Sequence, residues 1–523
     1  MGVYLNPGND KFRRIINSEI YIDKTGLILY TNKVLDTQQQ NICVSRPRRF
    51  GKSMAANMLA AYYSRECDSK ELFKGLKIYE DKNFEKYLNK YDTIFLNMQE
   101  FLSQTENMTE MIELIRKSVL WELTAKYDDI RYFDNSNLTR SLQDIYLNTK
   151  IPFVIIIDEW DYIFREYKNN IDEQRKYLDF LRDLLKDKSY IHLAYMTGIL
   201  PIKKYGTHSA LNMFSEFSMT NPRQLTSYVG FTEDEVNELS ERYNISLSDL
   251  KEWYDGYHFG ENETIYSPKS VVEAVTSGIC DTYWNQTETF EALKMYIELN
   301  IDGLKDAVIS MMSGEKIPVN TATFANDMTT FCTKDDVLTL LIHLGYLGYD
   351  FQAKCVYIPN REVMTEYVNA ISLSQWGGIS VALKNSNEIL EAIWQNKPEK
   401  VASGIEQAHF ETSHIQYNDE NALSYTISLA LYTARNYYTV IREMPTGKGF
   451  ADMVYIPKKR FADKPAIVME LKWNKKAEGA IKQIKEKHYS EQIKAFSGEI
   501  LLVGINYDKK TKKHKCIIEK YQK

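Results

Sequence analysis

The segment Ser45-Arg-Pro-Arg-Arg-Phe-Gly-Lys-Ser53 decides the fold of this chain. It follows the β-branched run Asn41-Ile-Cys-Val-Ser45 and precedes a helical pattern that ends near Ser64. The order therefore predicts a strand, a loop and a helix. Backbone N–H groups at the start of such a helix bind phosphate, and a Gly-Lys-Ser ending is typical of a phosphate loop. The segment predicts ATP binding, with Lys52 at the β- and γ-phosphates and Ser53 on Mg²⁺.

One position departs from the GxxxxGK pattern. Arg46 stands where the pattern has its first glycine. Gly51 is therefore the one glycine in this loop that can adopt backbone conformations closed to other residues. Arg48, Arg49 and Phe50 are predicted to line the ATP site beside Gly51, Lys52 and Ser53. The three arginines are also candidates for neutralising phosphates or for acting across a subunit interface, and the sequence does not choose between these roles. A basic turn before a helix, without nucleotide binding, is the alternative.

A second apolar strand strengthens the ATP prediction. The run Phe153 to Ile157 is followed by Asp158 and Glu159, and a buried parallel strand delivers such carboxylates to the carboxyl edge of the sheet. Asp158 is predicted to bind Mg²⁺ through water, and Glu159 to orient and deprotonate the attacking water. Thr197, which ends the next strand, is predicted either to sense the γ-phosphate or to cap the turn before Gly198.

Strands alternate with helices through the first third of the chain, which predicts a parallel α/β sheet. We expect three domains: a P-loop ATPase core at 1–230, a helical lid with a winged-helix-like region at 231–400, and a second α/β domain at 401–523. The predicted fold class is α/β throughout. Residues 360–400 are predicted to be a polar helical connection.

The middle region opens with Thr232-Glu-Asp-Glu235, a capping box that predicts a helix start. A loop-rich stretch is expected from Trp253 to Pro268. Two short runs after the helices, Tyr346 to Asp350 and Lys354 to Ile358, predict a hairpin. This winged-helix-like module either packs against the ATPase core or binds nucleic acid, and packing is the preferred reading.

The C-terminal part repeats an α/β pattern and places three chemical groups on neighbouring strands. Asp452 lies on one predicted strand, and Glu470 and Lys472 lie on the next. A period of two puts Glu470 and Lys472 on the same face. Two carboxylates can hold Mg²⁺, and an adjacent lysine can position or activate water for hydrolysis of a phosphodiester.

Two further side chains are auxiliary candidates at this predicted metal site. Glu420, at the start of the helix expected at 421–436, could add a metal ligand. Gln483, on the helix expected at 477–496, could orient Lys472 or contact the substrate. A chance occurrence of the short Asp…Glu-x-Lys pattern is the alternative.

Residues 8–280 resemble an AAA-ATPase-like domain that is common in anaerobic bacteria. The family itself has Arg-Pro-Arg-Arg-Phe before Gly-Lys, so the missing first glycine is a family trait. In this family Asp23, Lys24 and Thr25 either help to frame the nucleotide or cap a helix. The matching stretches are Tyr21-Ile-Asp-Lys-Thr25, the loop to Ser53, Ile157-Asp-Glu-Trp-Asp161, Trp253-Tyr-Asp-Gly-Tyr257 and Tyr266-Ser-Pro268.

About residues 405–510 resemble the PD-(D/E)XK nuclease superfamily, in the branch that accompanies these ATPase-like domains. The resemblance implies a restriction-endonuclease-like α/β fold. The branch usually has an arginine before the first carboxylate, which Gly449-Phe-Ala-Asp452 lacks, and this puts DNA contact at that point in doubt. The matching pieces are Glu443 with Gly447 to Asp452, Val468 to Lys472, and Gln483 followed by Tyr489.

Composition limits the partners. The net charge of -6 excludes a uniformly basic nucleic-acid binder, but from Lys458 onward Lys and Arg outnumber Asp and Glu by 18 to 8. A solvated tail from Lys509 to Lys515 explains part of that excess. Six scattered cysteines without a CxxC pair argue against zinc and fit a reducing cytoplasm. No signal peptide or membrane span is apparent, so we expect a cytoplasmic protein.

These observations together predict an ATP- and Mg²⁺-binding protein whose nuclease-like domain cleaves nucleic acid, with DNA ahead of RNA, under nucleotide control. The sequence does not decide whether the protein forms a homo-oligomer when it binds nucleotide. The alternative is a signalling or defence switch whose nuclease-like domain binds without cutting.

Overall fold

The computed structural model describes residues 2–202, 211–259, 263–284, 290–299, 301–325, 331–372, 377–412, 420–446, 449–474, 477–486 and 498–521. The chain forms two compact units. The first comprises Met1–Gln286 and Lys316–Val363, and the second comprises Thr287–Glu315 and Met364–Lys523. The domain boundaries expected after residues 230 and 400 stay predictions.

The first unit is built on a five-stranded parallel sheet of order β2-β3-β4-β1-β5. All six residues of the third strand are buried, as expected for a strand covered on both faces. The strands predicted at 41–45, 93–97, 153–157 and 191–197 are confirmed, and the fifth strand, of three residues, was not predicted. The strands are β1 Asn41–Ser45, β2 Asp92–Asn97, β3 Phe153–Asp158, β4 Ile191–Gly198 and β5 Ser215–Phe217.

Nine α-helices accompany the described part of this sheet up to residue 202. Four of them start at an asparagine whose side chain accepts an N–H of the first turn, Asn97, Asn107, Asn137 and Asn170. The helices are α1 Asp10–Ile16, α2 Gly26–Val34, α3 Lys52–Tyr63, α4 Phe84–Tyr87, α5 Met98–Leu102, α6 Met108–Lys126, α7 Leu138–Thr149, α8 Tyr162–Glu166 and α9 Ile171–Leu185.

The following region combines short strands and helices. Its capping box is confirmed: Thr232 and Glu235 exchange the two expected hydrogen bonds at the start of a helix. The loop-rich stretch expected from 253 to 268 is wrong, because it contains two strands that join a three-stranded antiparallel sheet. The elements are β6 Phe231–Thr232, α10 Glu233–Tyr243, α11 Leu247–Tyr254, β7 Tyr257–Phe259, β8 Glu263–Tyr266 and α12 Pro268–Ser277.

The predicted hairpin is also present, and it packs within the first unit. The Tyr357 hydroxyl donates to Gly256 O at 3.0 Å, and the Tyr257 hydroxyl donates to Gly345 O at 2.6 Å. A Cβ added at Gly345 would lie 2.8 Å from Pro47 Cβ in the phosphate loop, which favours packing of the winged-helix-like module against the ATPase core. The elements from here are α13 Phe290–Ile297 and α14 Leu304–Met312, which belong to the second unit, and β9 Ile317–Pro318, α15 Lys334–Leu344, β10 Gly348–Asp350 and β11 Cys355–Tyr357, which belong to the first.

The second unit is a mixed five-stranded sheet of order β12-β13-β14-β15-β16, in which only β14 and β15 run parallel. One hydrophobic core forms against α17 to α19, and a smaller one forms under α20 on strand residues such as Val468 and Leu502. The elements are α16 Arg361–Ser372, α17 Gly377–Trp394, α18 Pro398–Thr412, α19 Glu420–Ala430, β12 Tyr438–Thr446, β13 Gly449–Pro457, β14 Ala466–Trp473, α20 Ala477–Glu486, β15 Ile500–Asp508 and β16 Lys513–Lys520.

Two expectations about this unit are wrong. The helices α17 and α18 were expected partly as a connection, yet Ile389, Leu390 and Ile405 are buried in the core. The stretch Lys509 to Lys515 is exposed apart from His514, as expected, but it is not a tail, because it forms the turn after β15 and the start of β16. The helix expected at 477–496 is described to residue 486, and its remainder lies outside the described residues. No helix in the described ranges combines the length and apolar character that crossing a bilayer requires.

Candidate functional site

The phosphate loop ends at the amino terminus of α3. Gly51 has a φ of +91°, and a Cβ added there would meet no atom within 4 Å, so the loop leaves open space at the helix start. Lys52 is buried, and its Nζ donates to Pro47 O at 2.9 Å. Burial lowers the pKa of Lys52, and the charges of Glu159, Asp161 and Asp158 oppose that shift. The ammonium therefore lies close enough to the carboxylates at the end of β3 to interact with their charges, and its predicted contact with the β- and γ-phosphates stays a prediction.

Arg46 is a core residue, which argues against its proposed roles at phosphate or at a subunit interface. Its side chain is fully buried, and Nη1 donates to Ser45 O and Phe217 O at 3.0 and 3.1 Å. The guanidinium carbon lies 5.3 Å from the centre of the Phe259 ring. Burial lowers the pKa of Arg46 to about 10. The side chain thus ties the start of the loop to β5 and β7.

The other loop residues differ in exposure. The Phe50 ring is buried and meets Tyr257 edge-on at 5.4 Å, so this side chain packs against β7. Arg49 has a left-handed backbone with a φ of +64°. Burial lowers its pKa, and the charge of Glu273 opposes this. Arg48 is partly exposed. Nucleotide contacts by Arg48 and Arg49 stay predictions.

Asp158 and Thr197 are register partners on β3 and β4. Both are buried. Burial raises the pKa of Asp158 to about 6, against an opposing side-chain hydrogen bond from Ser53. The Thr197 hydroxyl has no hydrogen-bond partner among the described residues, so it does not cap the following turn. A buried hydroxyl without a partner at this edge fits an additional hydrogen-bonding group, such as a phosphate or a water.

Glu159 lies in an ion-paired network that the sequence did not indicate. Its backbone is left-handed, with a φ of +53°, and its carboxylate pairs with Arg165 Nη2. Arg165 Nε also lies 3.6 Å from Asp161 Oδ2. Asp161 Oδ2 accepts the N–H groups of Ile199 and Leu200, just after β4, at 3.1 and 2.9 Å. In the sequence, the only indication of this ion pair was that Arg165 follows Glu159 by six residues.

The Asp23-Lys-Thr25 segment makes contacts within the protein. Asp23 accepts Thr25 N and Lys77 N at 2.8 and 2.7 Å. Lys24 Nζ pairs with Glu235 at 2.6 Å, at the start of α10. These contacts tie the segment to neighbouring elements, but the Thr25 side chain makes no capping hydrogen bond at the start of α2. A role in framing the nucleotide stays a prediction.

The first site fits a nucleotide with a magnesium ion. The Ser53 hydroxyl is near enough to Asp158 to oppose the rise of its pKa, and a hydroxyl with a carboxylate is a set of oxygen ligands that Mg²⁺ prefers. The open space at Gly51 and the α3 amino terminus suit a phosphate. Burial raises the pKa of Asp158, and a cation bound beside it would stabilise the charged form of its carboxylate.

In the second unit, Asp452 lies where two strands separate. The ladder between β13 and β14 ends with the pair Met453 and Met469. The next amide, Leu471 N, donates instead to Asp452 Oδ2 at 2.6 Å. The carboxylate therefore reaches across to β14 between the two other predicted catalytic residues, Glu470 and Lys472.

Glu470 accepts two side-chain donors. Lys472 Nζ lies 3.1 Å from Glu470 Oε1, which agrees with the predicted common face, and Gln483 Nε2 donates to the same oxygen. Only 2% of the Glu470 side chain is exposed, and only 12% of that of Lys472. Gln483 thus contacts Glu470 in this structure, whereas the sequence suggested Lys472 or the substrate.

Gly504 explains how α20 carries Gln483 to this position. It is the register partner of Glu470 on β15. A Cβ at Gly504 would lie 2.9 Å from Ala477 O and 3.0 Å from Ala480 Cβ. The absent side chain lets α20 approach the sheet, and sequence reasoning did not single out this glycine.

Two carboxylates fit a magnesium ion, which commonly takes one or two from a protein and keeps several waters. The Glu420 side chain, the suggested additional ligand, lies outside the described residues, as do those of Glu443 and Tyr489. Among the side chains that the structure describes, no group of three His, Cys, Asp or Glu has a metal-binding arrangement.

The sequence also provided no indication of a buried pair of histidines in the second unit. His409 Nδ1 and His514 Nε2 lie 3.1 Å apart, and both rings contact Tyr507. Burial lowers the pKa of His409 to about 4, and burial together with the neighbouring His409 lowers that of His514 to about 3. The residues are 105 positions apart, so no local pattern could have paired them.

Comparison with known proteins adds family assignments to this geometry. Residues 7–207 match the family model described as Predicted AAA-ATPase, and residues 420–516 match that of the PD-(D/E)XK nuclease superfamily. An uncharacterized protein in the vnfD 5′ region of Azotobacter chroococcum mcd 1 is 21% identical over 280 residues, which cover 51% of each protein. The chain therefore spans about half the length of that curated relative.

Two solved structures are also similar. The Walker-type ATPase of Pyrococcus abyssi has 11% identity and a TM-score of 0.34, over 66% of this chain and 94% of that one. The ORC2 protein of Aeropyrum pernix, solved in ADPNP-ADP complexes, has 12% identity and a TM-score of 0.30, over 69% and 97%. On the family matches, residues 7–207 are similar to the predicted AAA-ATPases and residues 420–516 to the PD-(D/E)XK nuclease superfamily.

Proposed function

We propose that this protein binds and hydrolyses ATP with Mg²⁺ at the phosphate loop, and that the nucleotide state controls metal-dependent cleavage of nucleic acid, DNA ahead of RNA, by the C-terminal domain. The observation that carries the proposal is the cluster in the second unit. Asp452, Lys472 and Gln483 all reach one short stretch of β14 around Glu470.

At the first site, the chain supplies a cation, a hydroxyl and two carboxylates. Lys52 would leave Pro47 O for the β- and γ-phosphates, because a phosphate is a stronger acceptor than a carbonyl. Ser53 and Asp158 would hold Mg²⁺, which supplies positive charge against the phosphates. Glu159 would accept a proton from the attacking water. Thr197 has a free hydroxyl at the same edge of the sheet and would donate to the γ-phosphate.

At the second site, Asp452 and Glu470 would bind a magnesium ion, which supplies charge to a phosphodiester under attack. Leu471 N fixes the Asp452 carboxylate, and Gln483 fixes that of Glu470. Lys472, close to Glu470, would position a water or a phosphate oxygen. The lysine-rich sequence of this unit supports a nucleic-acid partner, and affinity for such a partner falls as salt rises.

The test is cleavage by the full-length chain of plasmid DNA, single-stranded DNA and RNA, with Mg²⁺ or Mn²⁺. Each substrate is incubated without nucleotide, with ATP, with ADP and with a non-hydrolysable ATP analogue. The expected result is cleavage that depends on metal, that changes with nucleotide state, and that falls about 100-fold or more in Glu470→Gln. Asp463→Asn, an exposed carboxylate of the same unit, is the matched control.

Cleavage that is equal in wild type and Glu470→Gln would overturn the nuclease assignment, because it would come from a contaminant. An absence of cleavage in all nucleotide states, together with nucleotide-dependent sedimentation, would support the switch that binds without cutting. Phosphate release from ATP that persists in Glu159→Gln would overturn the role of Glu159.

A further inference from the structure

Arg165 holds the carboxylate that the proposed ATPase reaction needs as a base. The Arg165 side chain is 7% exposed and that of Glu159 is 18% exposed, so their ion pair is largely shielded from water. Such a pair is stronger than one on the surface, because less water screens the charges. The oxygen that Arg165 engages is one of the two that could accept a proton from water.

The local backbone builds this pair. Glu159 turns the chain in the left-handed region, and Glu159 O accepts Tyr162 N at 3.0 Å, which starts α8. The guanidinium carbon of Arg165 lies 4.9 Å from the centre of the Tyr162 ring. One turn of helix therefore returns Arg165 to the end of β3, and the ring helps to hold it there.

Arg165 has a second carboxylate beside it. Asp161 is fully buried and is fixed by the N–H groups of Ile199 and Leu200. If Glu159 leaves, Arg165 keeps Asp161 at 3.6 Å and is not left as an uncompensated buried charge. The ion pair with Glu159 can therefore break and form again while Asp161 still compensates the charge of Arg165.

We propose that Arg165 is a positioning residue that restrains Glu159 in the nucleotide-free protein, and that ATP hydrolysis proceeds only after Glu159 exchanges Arg165 for the attacking water. The inference rests on the proposed ATPase function and names how that site is regulated. Arg165 acts through Glu159 and needs no contact with the nucleotide.

The experiment measures kcat and KM for ATP, and affinity for a non-hydrolysable ATP analogue, in full-length Arg165→Gln and Arg165→Lys. Glutamine removes the charge but can still donate to Asp161, whereas lysine keeps the charge. We expect Arg165→Gln to raise kcat about fivefold or more, with analogue affinity unchanged within about twofold. Arg165→Lys is expected to stay near the wild-type kcat. Arg182→Gln, which removes an exposed pair with Asp179, is the matched control.

A double variant distinguishes restraint of Glu159 by Arg165 from a merely structural role of Arg165. With Glu159→Gln present, Arg165→Gln should have no further effect on the residual rate. A kcat in Arg165→Gln equal to or below wild type, with analogue affinity intact, overturns the inference and leaves the ATPase proposal standing. If Arg165→Gln loses its thermal unfolding transition, Arg165→Met, which keeps most of the side-chain length without the charge, replaces it: a raised kcat supports the restraint and an unchanged kcat overturns it. No phosphate release from any variant overturns the ATPase function, and the restraint with it.

Discussion

Asp452 and Leu471 are joined by a hydrogen bond of 2.6 Å between a carboxylate oxygen and a backbone amide, at the point where β13 and β14 separate. The contact makes one side chain both a candidate metal ligand and a strand tether. These two roles can be separated by substitution.

Asp452→Asn keeps an oxygen acceptor for Leu471 N but removes the charge. We expect it to retain the wild-type unfolding temperature and to lose metal binding and cleavage by about 100-fold or more. Asp452→Ala removes the acceptor as well and should cost about 1–3 kcal/mol of stability, because a buried N–H loses its partner. Calorimetric titration with Mn²⁺ and thermal unfolding measure the two effects. Equal destabilisation by both substitutions would contradict the tether.

Gly504→Ala tests the close approach of α20 to the sheet. The new Cβ would meet the backbone at Ala477 O, which cannot rotate away, so α20 must shift. We expect a loss of about 1–3 kcal/mol and reduced cleavage, because Gln483 moves away from Glu470. Gly479→Ala, in the same helix with no atom within 4 Å of its added Cβ, should stabilise by up to about 1 kcal/mol. Similar behaviour of the two variants would count against a steric requirement at Gly504.

Asp158→Asn is expected to trade function for stability. The folded-state pKa of about 6 lies above the ordinary value of 3.8. The folded protein therefore binds a proton more tightly than the unfolded chain, and stability falls as pH rises from about 4 to 6. At pH 7.5 without nucleotide, the neutral amide should raise stability by about 1–3 kcal/mol.

Thermal unfolding of Asp158→Asn with and without Mg-ATP measures both sides of this trade. The variant should unfold at a higher temperature than wild type without ligand, and should gain less from Mg-ATP. Asp36→Asn, whose side chain is 70% exposed, serves as the control. A lower unfolding temperature in the ligand-free variant would show that Asp158 is stabilised by partners rather than strained by burial.

The buried histidine pair predicts acid sensitivity of the second unit. His409 and His514 have folded-state pKa values of about 4 and about 3, below the ordinary 6.5. Between pH 6.5 and about 4 the two histidines bind protons in the unfolded chain but not in the folded unit. The free energy of unfolding therefore falls as the pH falls. Each histidine contributes at most about 1.4 kcal/mol per pH unit.

Hydrogen exchange of the β15 and β16 amides at pH 7, 6 and 5, corrected for intrinsic rates, measures this loss locally. His514→Gln removes one titrating ring and should make the pH dependence shallower. His258→Gln, an exposed histidine of the first unit, is the control. An unchanged slope in His514→Gln would place the acid sensitivity elsewhere.

The features that the sequence predicted correctly are those that depend only on residues close together in the chain. The apolar run of β3 and the Gly-Lys-Ser ending of the loop specify local structure, and period-two alternation put Glu470 beside Lys472. The parallel order of the sheet brings Asp158 to the phosphate loop, because carboxyl ends of parallel strands share an edge.

The features that the sequence did not show depend on contacts between distant elements or on single backbone conformations. Arg165 meets Glu159 only because Glu159 adopts a left-handed turn, which glutamate rarely does. The short strands β5, β7 and β8 have too few residues for a periodic pattern. Gly504 is significant only once α20 is known to lie over it, and His409 and His514 meet through the tertiary fold.

The buried guanidinium of Arg46 has a consequence for how this loop can evolve. Glycine at this position would restore the common phosphate-loop pattern, but it would leave the space between Phe217 O and the Phe259 ring empty. A return to glycine therefore demands simultaneous changes in β5 and β7. A loop closed by a small residue and a loop filled by a buried guanidinium are therefore not interchangeable through a substitution at position 46 alone.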